Sequence, residues 1–183
     1  MPRRTRLPPI PPEELTPDQK LAADELVASP RGAVIGPFVA TLRSPELTRR
    51  LQRLGEYLRY HAAIPEKLRE MAILLTAREW RQGFEWDVHA PLAATAGLNA
   101  AAIDAIAEGR TPESMDRGET LVHDVFTELH RTHAVSDATY EGAVHEFGEQ
   151  GVVDLIALFG YYTTLAMVMN VAQTEAQGPW PRA

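Results

Sequence analysis

The chain of 183 residues contains no cysteine. That absence excludes disulfide staples, thiolate zinc sites and redox dithiols together. Positive charge is also in deficit: 18 Lys and Arg stand against 25 Asp and Glu, a net charge of −7. Such a balance favours solubility and gives no long-range attraction to nucleic acid or anionic lipid, so neither partner is expected. No stretch approaches the roughly 20 apolar residues of a membrane-spanning helix. At the N-terminus Arg3, Arg4 and Arg6 are followed by prolines and not by an apolar leader segment, and the expected location is the cytoplasm. A Gly-rich phosphate loop, a nucleophile elbow and a dinucleotide fingerprint are all missing, so no nucleotide cofactor is indicated. No β-pattern extends beyond a few residues, which leaves an all-α bundle as the expected architecture. The length suits one domain with a core large enough to need no staple.

The helix punctuation is clear. Residues 1–12 hold five of the 14 prolines, which block helical hydrogen bonding and predict an extended arm over 1–15, either loosely packed or wrapped on a partner subunit. Residues 16–183 form the expected single domain. Thr16 followed by Pro17 starts a first helix, with Leu21, Leu26 and Val27 as a partial apolar stripe. The segment RGAVIGPFVATLRS reads as a packed connector. Ser44-Pro45-Glu46 starts a second helix running to about His61, with Leu47, Leu51, Leu54 and Leu58 at helical spacing. After Pro65 the helix EKLREMAILLTAREW is apolar on all sides at its centre, so it must pass through the interior. A helix from Gly83 to the stop at Gly97 contains Pro91, a potential bend. A short helix follows from the Asn99 cap to Gly109, then a longer one over about Glu119 to His133. Ser136-Asp137 opens another, and from Gly151 a long apolar helix closes the fold. Its polar residues and Gly160 argue against a membrane span.

The sharpest local feature is Glu85 with His89. Four residues apart on a helix, they share one face, one turn apart, where carboxylate and imidazole can touch. If the helix continues upstream, Gln82 and Arg78 extend the same polar stripe. Glu119 with His123 and Glu141 with His145 repeat the spacing and read as solvated faces. What distinguishes Glu85 and His89 is their place after the apolar run MAILLTA, interleaved with Phe84, Trp86 and Val88. Burial there raises a carboxyl pKa and lowers that of an unpaired imidazole, bringing both toward the range of general acid–base catalysis. His61 and Tyr60, near the start of the core helix, lie within reach of the same pocket, although a polar helix end is the plainer account. Tyr161, Tyr162 and Asn170 on the closing helix read as core or interface support, and Met167 and Met169 as core filler. The carboxylates and histidines do not make a persuasive metal set, and no metal or other cofactor is expected.

Taken in order, GPF, SPEL, LRYHAAIPEKLREMAILLTAR, FEWDVH with AGLN downstream, VSDATY and DLIALFGYY resemble the carboxymuconolactone decarboxylase family of the alkylhydroperoxidase D-like superfamily, over about residues 36–171. The resemblance implies an alkylhydroperoxidase D-like helical bundle. In the peroxidase branch of that superfamily, a Glu on the core helix precedes a Cys-x-x-Cys pair and a His. By that spacing Glu70 and His89 match the Glu and the His, while the cysteine positions fall on Gln82 and Glu85. A thiol peroxidase mechanism, which requires a thiolate, is therefore excluded. The Glu-x-x-x-His arrangement resembles the decarboxylase branch and implies cofactor-independent acid–base chemistry, decarboxylation or isomerisation, on a small lactone or carboxylic acid of the kind met in aromatic-compound catabolism. The resemblance implies His89 as general acid or base, Glu85 as its partner and Glu70 as an orienting group. Arg78, Gln82, Trp86 and His61 are the candidate substrate-binding residues, Arg78 because a guanidinium suits bidentate carboxylate recognition. It also implies a homotrimer or homohexamer. The alternatives are a non-redox family member of different action that resembles the alkylhydroperoxidases only in fold, or a ligand-binding or structural homo-oligomer without catalysis.

Overall fold

The computed structural model describes residues 5–176. Eight α-helices follow one another in chain order, and no strand occurs among the described residues. They are α1 (Pro17–Ala28), α2 (Pro37–Thr41), α3 (Pro45–Tyr60), α4 (Glu66–Glu79), α5 (Gly83–Thr95), α6 (Ala100–Glu108), α7 (Arg117–Thr132) and α8 (Asp137–Ala172). The all-α expectation holds, and most helix starts fall where the capping chemistry puts them. Thr16 and Asp116 each close a reciprocal capping box, with Gln19 and Glu119, satisfying backbone donors that have no partner inside the helix. Asn99 caps α6, which ends at Gly109 in the left-handed conformation, as a glycine past a helix end permits. The connector read before α3 instead contains α2, a short helix started by Pro37.

Helix α4 is the axis of the bundle. Met71, Ala72, Ile73 and Leu74 are all buried, and α5, α6, α7 and α8 pack around it. A helix covered on every side can be apolar on every side, which is why its sequence lacks an amphipathic pattern. Thr76, its buried polar residue near the C-terminal end, returns its hydroxyl to the Ala72 carbonyl at 2.9 Å.

Helix α3 does not bury the leucine row expected of it. Its inner face is Thr48, Leu51, Gln52, Gly55 and Leu58, and Leu47 and Leu54 are exposed. Leu21 and Val27 on α1 are exposed as well, Ala22 and Leu26 being the buried pair.

The closing segment breaks where a break is expected. Gly148 leaves helical geometry at φ 71° and ψ 167°, so α8 is two helical stretches joined at a glycine kink. Contrary to the sequence reading, α8 is long and apolar enough to cross a membrane, with a mean hydropathy of 1.7 in its most apolar window. Helices at the centre of a bundle meet the same criterion, and 56% of that window is buried here against the other helices. The described part of the arm lies on its own chain: the Arg6 amide donates to the Ala172 carbonyl at 2.7 Å, and Arg43 donates to the Pro8 carbonyl at 2.7 Å. Residues 1–4 of the arm lie outside the described residues.

Candidate functional site

The break between α4 and α5 decides the site. Trp80 ends α4, Arg81 takes a left-handed φ of 48°, and Gln82 caps α5 through its side-chain oxygen, which accepts from the Phe84 amide at 2.7 Å. The chain thus reverses between Arg78 and Glu85, and α5 packs back against α4. This brings His89 on α5 against Glu70 on α4, 19 residues apart in sequence, with Nδ1 and Oε2 separated by 2.6 Å.

The other ring nitrogen faces two groups. His89 Nε2 is 3.4 Å from Glu85 Oε2, one turn earlier on the same helix, and 3.3 Å from the Tyr162 hydroxyl on α8. The Tyr162 ring meets the imidazole edge-on, with centroids 5.2 Å apart. All four side chains are buried. A buried imidazole between two carboxylates departs from the expectation for an unpaired one. Burial opposes its charge, but the hydrogen bonds and fields of Glu70 and Glu85 outweigh that and hold the His89 pKa above its ordinary value. Tyr162 is held well above the usual phenol range, first by burial, so its hydroxyl stays protonated and can donate to a neutral Nε2 or accept from an imidazolium.

This network borders a small cavity of about 50 Å³. Its walls are Ile35, Phe38, Phe84 and Leu165, and its polar lining is Glu85, His89 and Tyr162 with Arg31 and Arg59. Arg31 is already engaged: it donates to the Tyr161 hydroxyl at 3.2 Å and lies over the Phe38 ring, 4.6 Å from its centroid. Burial pushes the Tyr161 pKa up to about 12, so that hydroxyl is an acceptor for Arg31 and no source of negative charge. Two glycines make the cavity wall possible. A Cβ on Gly36, itself at φ 57°, would run into the Phe84 ring, and one on Gly55 would run into the Tyr161 hydroxyl and the Arg31 guanidinium.

The sequence model of the Carboxymuconolactone decarboxylase family matches residues 45–115. Over that stretch the chain is similar to the carboxymuconolactone decarboxylase family. The match covers less than half of the chain and spans α3 to α6, a narrower stretch than the resemblance over 36–171. It contains Glu70, Gln82, Glu85 and His89, with no cysteine at either position of the peroxidase pair. No curated protein and no solved structure was found to match.

The structure gathers Glu70, Glu85 and His89 and separates the candidate binding residues from them. Arg78 does not join the site, because the stripe that linked it to Glu85 required a continuous helix. It points instead to the end of α6, where its Nε donates to the Ala107 carbonyl at 3.0 Å. There it lines a larger cleft of about 520 Å³ with His123 and His130. No buried acid–base pair lies among that cleft's lining residues; His123 meets Asp124 at 3.4 Å and the His130 ring stacks on Phe126. Gln82 spends its amide on Asn170, Nε2 to Oδ1 at 2.9 Å, and its oxygen on the α5 cap. Trp86 is buried in the core, and His61 is an exposed residue at the end of α3; neither lines the cavity. Glu119 is held by Lys67 at 2.8 Å and by its capping box, away from the site. Sequence reasoning missed Arg31, Arg59 and Tyr162 as parts of the site. Tyr162 had a signal, a phenol in an apolar helix that must find a polar partner, but nothing local identifies that partner as His89.

Proposed function

We propose that the protein is a cofactor-independent acid–base enzyme of the carboxymuconolactone decarboxylase type, acting by decarboxylation or isomerisation on a small lactone or carboxylic acid. The observation that carries this reading is the buried Glu70–His89–Glu85 set, with Nε2 turned toward Glu85 and Tyr162, both of which line the cavity with His89. Glu70 orients the ring by accepting from Nδ1–H, so the exchangeable proton is the one at Nε2. In a decarboxylation the carbon–carboxylate bond breaks, its electron pair moves toward a conjugated carbonyl of the substrate, and the Nε2 proton of the imidazolium ends on the carbon that lost CO₂. In an isomerisation the neutral ring takes a proton from one carbon and returns it to another, with Glu85 as the nearby second carrier. Arg59 and the Tyr162 hydroxyl supply cation and hydrogen bond where negative charge develops.

A panel of small carboxylated lactones and hydroxy acids, followed for CO₂ release and for proton exchange with deuterated solvent, tests the proposal. A turned-over substrate should lose about 10²-fold or more of its rate in His89→Gln. Undiminished turnover in that variant would refute the assignment.

A further inference from the structure

The cavity beside His89 is lined by a cationic group without a hydrogen-bond partner among the described residues. Arg59 comes from the last turn of α3, is half-buried and lines the cavity together with Glu85 and His89. Among the described residues its guanidinium donates no hydrogen bond and joins no ion pair; its close neighbour is the Tyr60 ring, 5.3 Å from the centroid. A guanidinium has five N–H donors in a planar fork, and a ligand carboxylate can accept two of them at once. Exposed arginines elsewhere on the same helix have acidic partners, Arg50 with Glu46 at 2.7 Å and Arg53 with Glu25 at 3.7 Å. Arg59 alone of these three turns toward the cavity.

The charged groups that line the cavity, Arg31, Arg59, His89 and Glu85, are in positive excess when His89 is protonated, which suits an anionic occupant. Size narrows the choice further. A volume of about 50 Å³ corresponds to about three to five water-sized groups, whereas a benzene ring occupies a cavity of about 150 Å³. The walls that limit the space, Phe84 and Phe38, are rigid rings, and Phe84 is set against Gly36 with no room for a Cβ between them.

We infer that Arg59 is the anchor for the carboxylate of a small aliphatic monocarboxylate in this cavity, which places the carbon chain of that acid against His89 Nε2. This inference rests on the acid–base reading for what happens next, but the binding itself does not require turnover. It narrows the substrate class from lactones and acids in general to short monocarboxylic acids, and it replaces Arg78 with Arg59 as the residue that selects for charge.

The experiment is a titration of the full chain, labelled with ¹⁵N at histidine, with acetate, acetamide and benzoate, read at the ring nitrogens of His89. Acetate should shift those resonances saturably, while acetamide, which has the shape without the charge, and benzoate, which has the charge without the size, should not. Arg59→Gln should weaken acetate binding about tenfold or more, with Arg59→Lys, a point charge lacking the bidentate fork, falling between. Acetate binding of wild-type strength in a folded Arg59→Gln, no saturable acetate shift in the wild type, or equal binding of acetamide overturns the inference. Should Arg59→Gln fail to fold, the comparison of acetate with acetamide and benzoate on the wild type decides alone. The two readings fail separately. If His89→Gln keeps turnover while acetate still binds through Arg59, the acid–base role falls and the anion site stands.

Discussion

Replacing Glu70 by Gln removes one charge from a buried contact and leaves its shape nearly intact, so its effect on stability should change with pH. In the wild type the 2.6 Å contact joins a carboxylate to the Nδ1–H of His89, with both side chains buried. Gln keeps an acceptor oxygen for that N–H but converts a charge-assisted hydrogen bond, worth about 1.5–3 kcal/mol, into a neutral one worth about 0.5–1.5 kcal/mol. The expected loss is about 1–2 kcal/mol wherever His89 is protonated, or about 2–8 °C in Tm for a chain of this size. The sign of the pH dependence follows from the raised His89 pKa. The folded state holds the proton more tightly than the unfolded state, whose imidazole has its ordinary pKa of 6.5. The stabilisation is therefore fully present below 6.5 and is lost as pH rises through the folded value. Above that range the deficit of Glu70→Gln should shrink, because an uncharged imidazole has no further use for the carboxylate. Urea unfolding of both proteins from pH 5 upward measures this directly. A deficit constant across the series, or one that grows with pH, would refute the placement of an imidazolium between the two carboxylates.

Other consequences are open to equally direct tests. Gly55→Ala gains about 1 kcal/mol of helix propensity but forces a Cβ into the Tyr161 hydroxyl and Arg31, an overpacking cost of about 1–3 kcal/mol; chemical unfolding should show a net loss of up to about 2 kcal/mol, and a stabilised variant would contradict the packing described. Arg78→Gln should cost about 1 kcal/mol, from the lost contact to the Ala107 carbonyl, and leave acetate binding at His89 unchanged; weakened binding would return Arg78 to the site. Leu47 and Leu54 on α3, and Val153, Ile156, Met167 and Val171 on α8, are exposed apolar side chains that an interface between copies of the chain would cover. Sedimentation at micromolar concentration should find a homo-oligomer, and a monomer there would count against it.

Much of the secondary structure was legible because its signals are local. A Pro at the first helical position, a Thr, Asn or Ser able to cap, and a Gly able to take positive φ each act within one turn of the chain, as at Thr16, Asn99, Gly109 and Gly148. The Glu85–His89 contact was legible for the same reason, since helical geometry alone puts residues four apart on one face. Glu70 was reached through the family resemblance, which carries information about a long-range contact that no single stretch contains.

The sequence by itself determined that the protein is helical, that thiol chemistry is closed to it, and that α4 is its interior helix, because composition and apolar coverage of a helix are properties of the chain alone. Tertiary structure decided which polar groups share a cavity. The reversal at Trp80–Arg81 sends Arg78 to α6 and His89 to Glu70, α8 brings Tyr162 to the His89 imidazole, and α3, packed against α8, adds Arg59 to the lining of the same cavity. A side chain's direction is set by how its helix is rotated in the bundle, and that rotation is fixed by the burial of many distant residues at once.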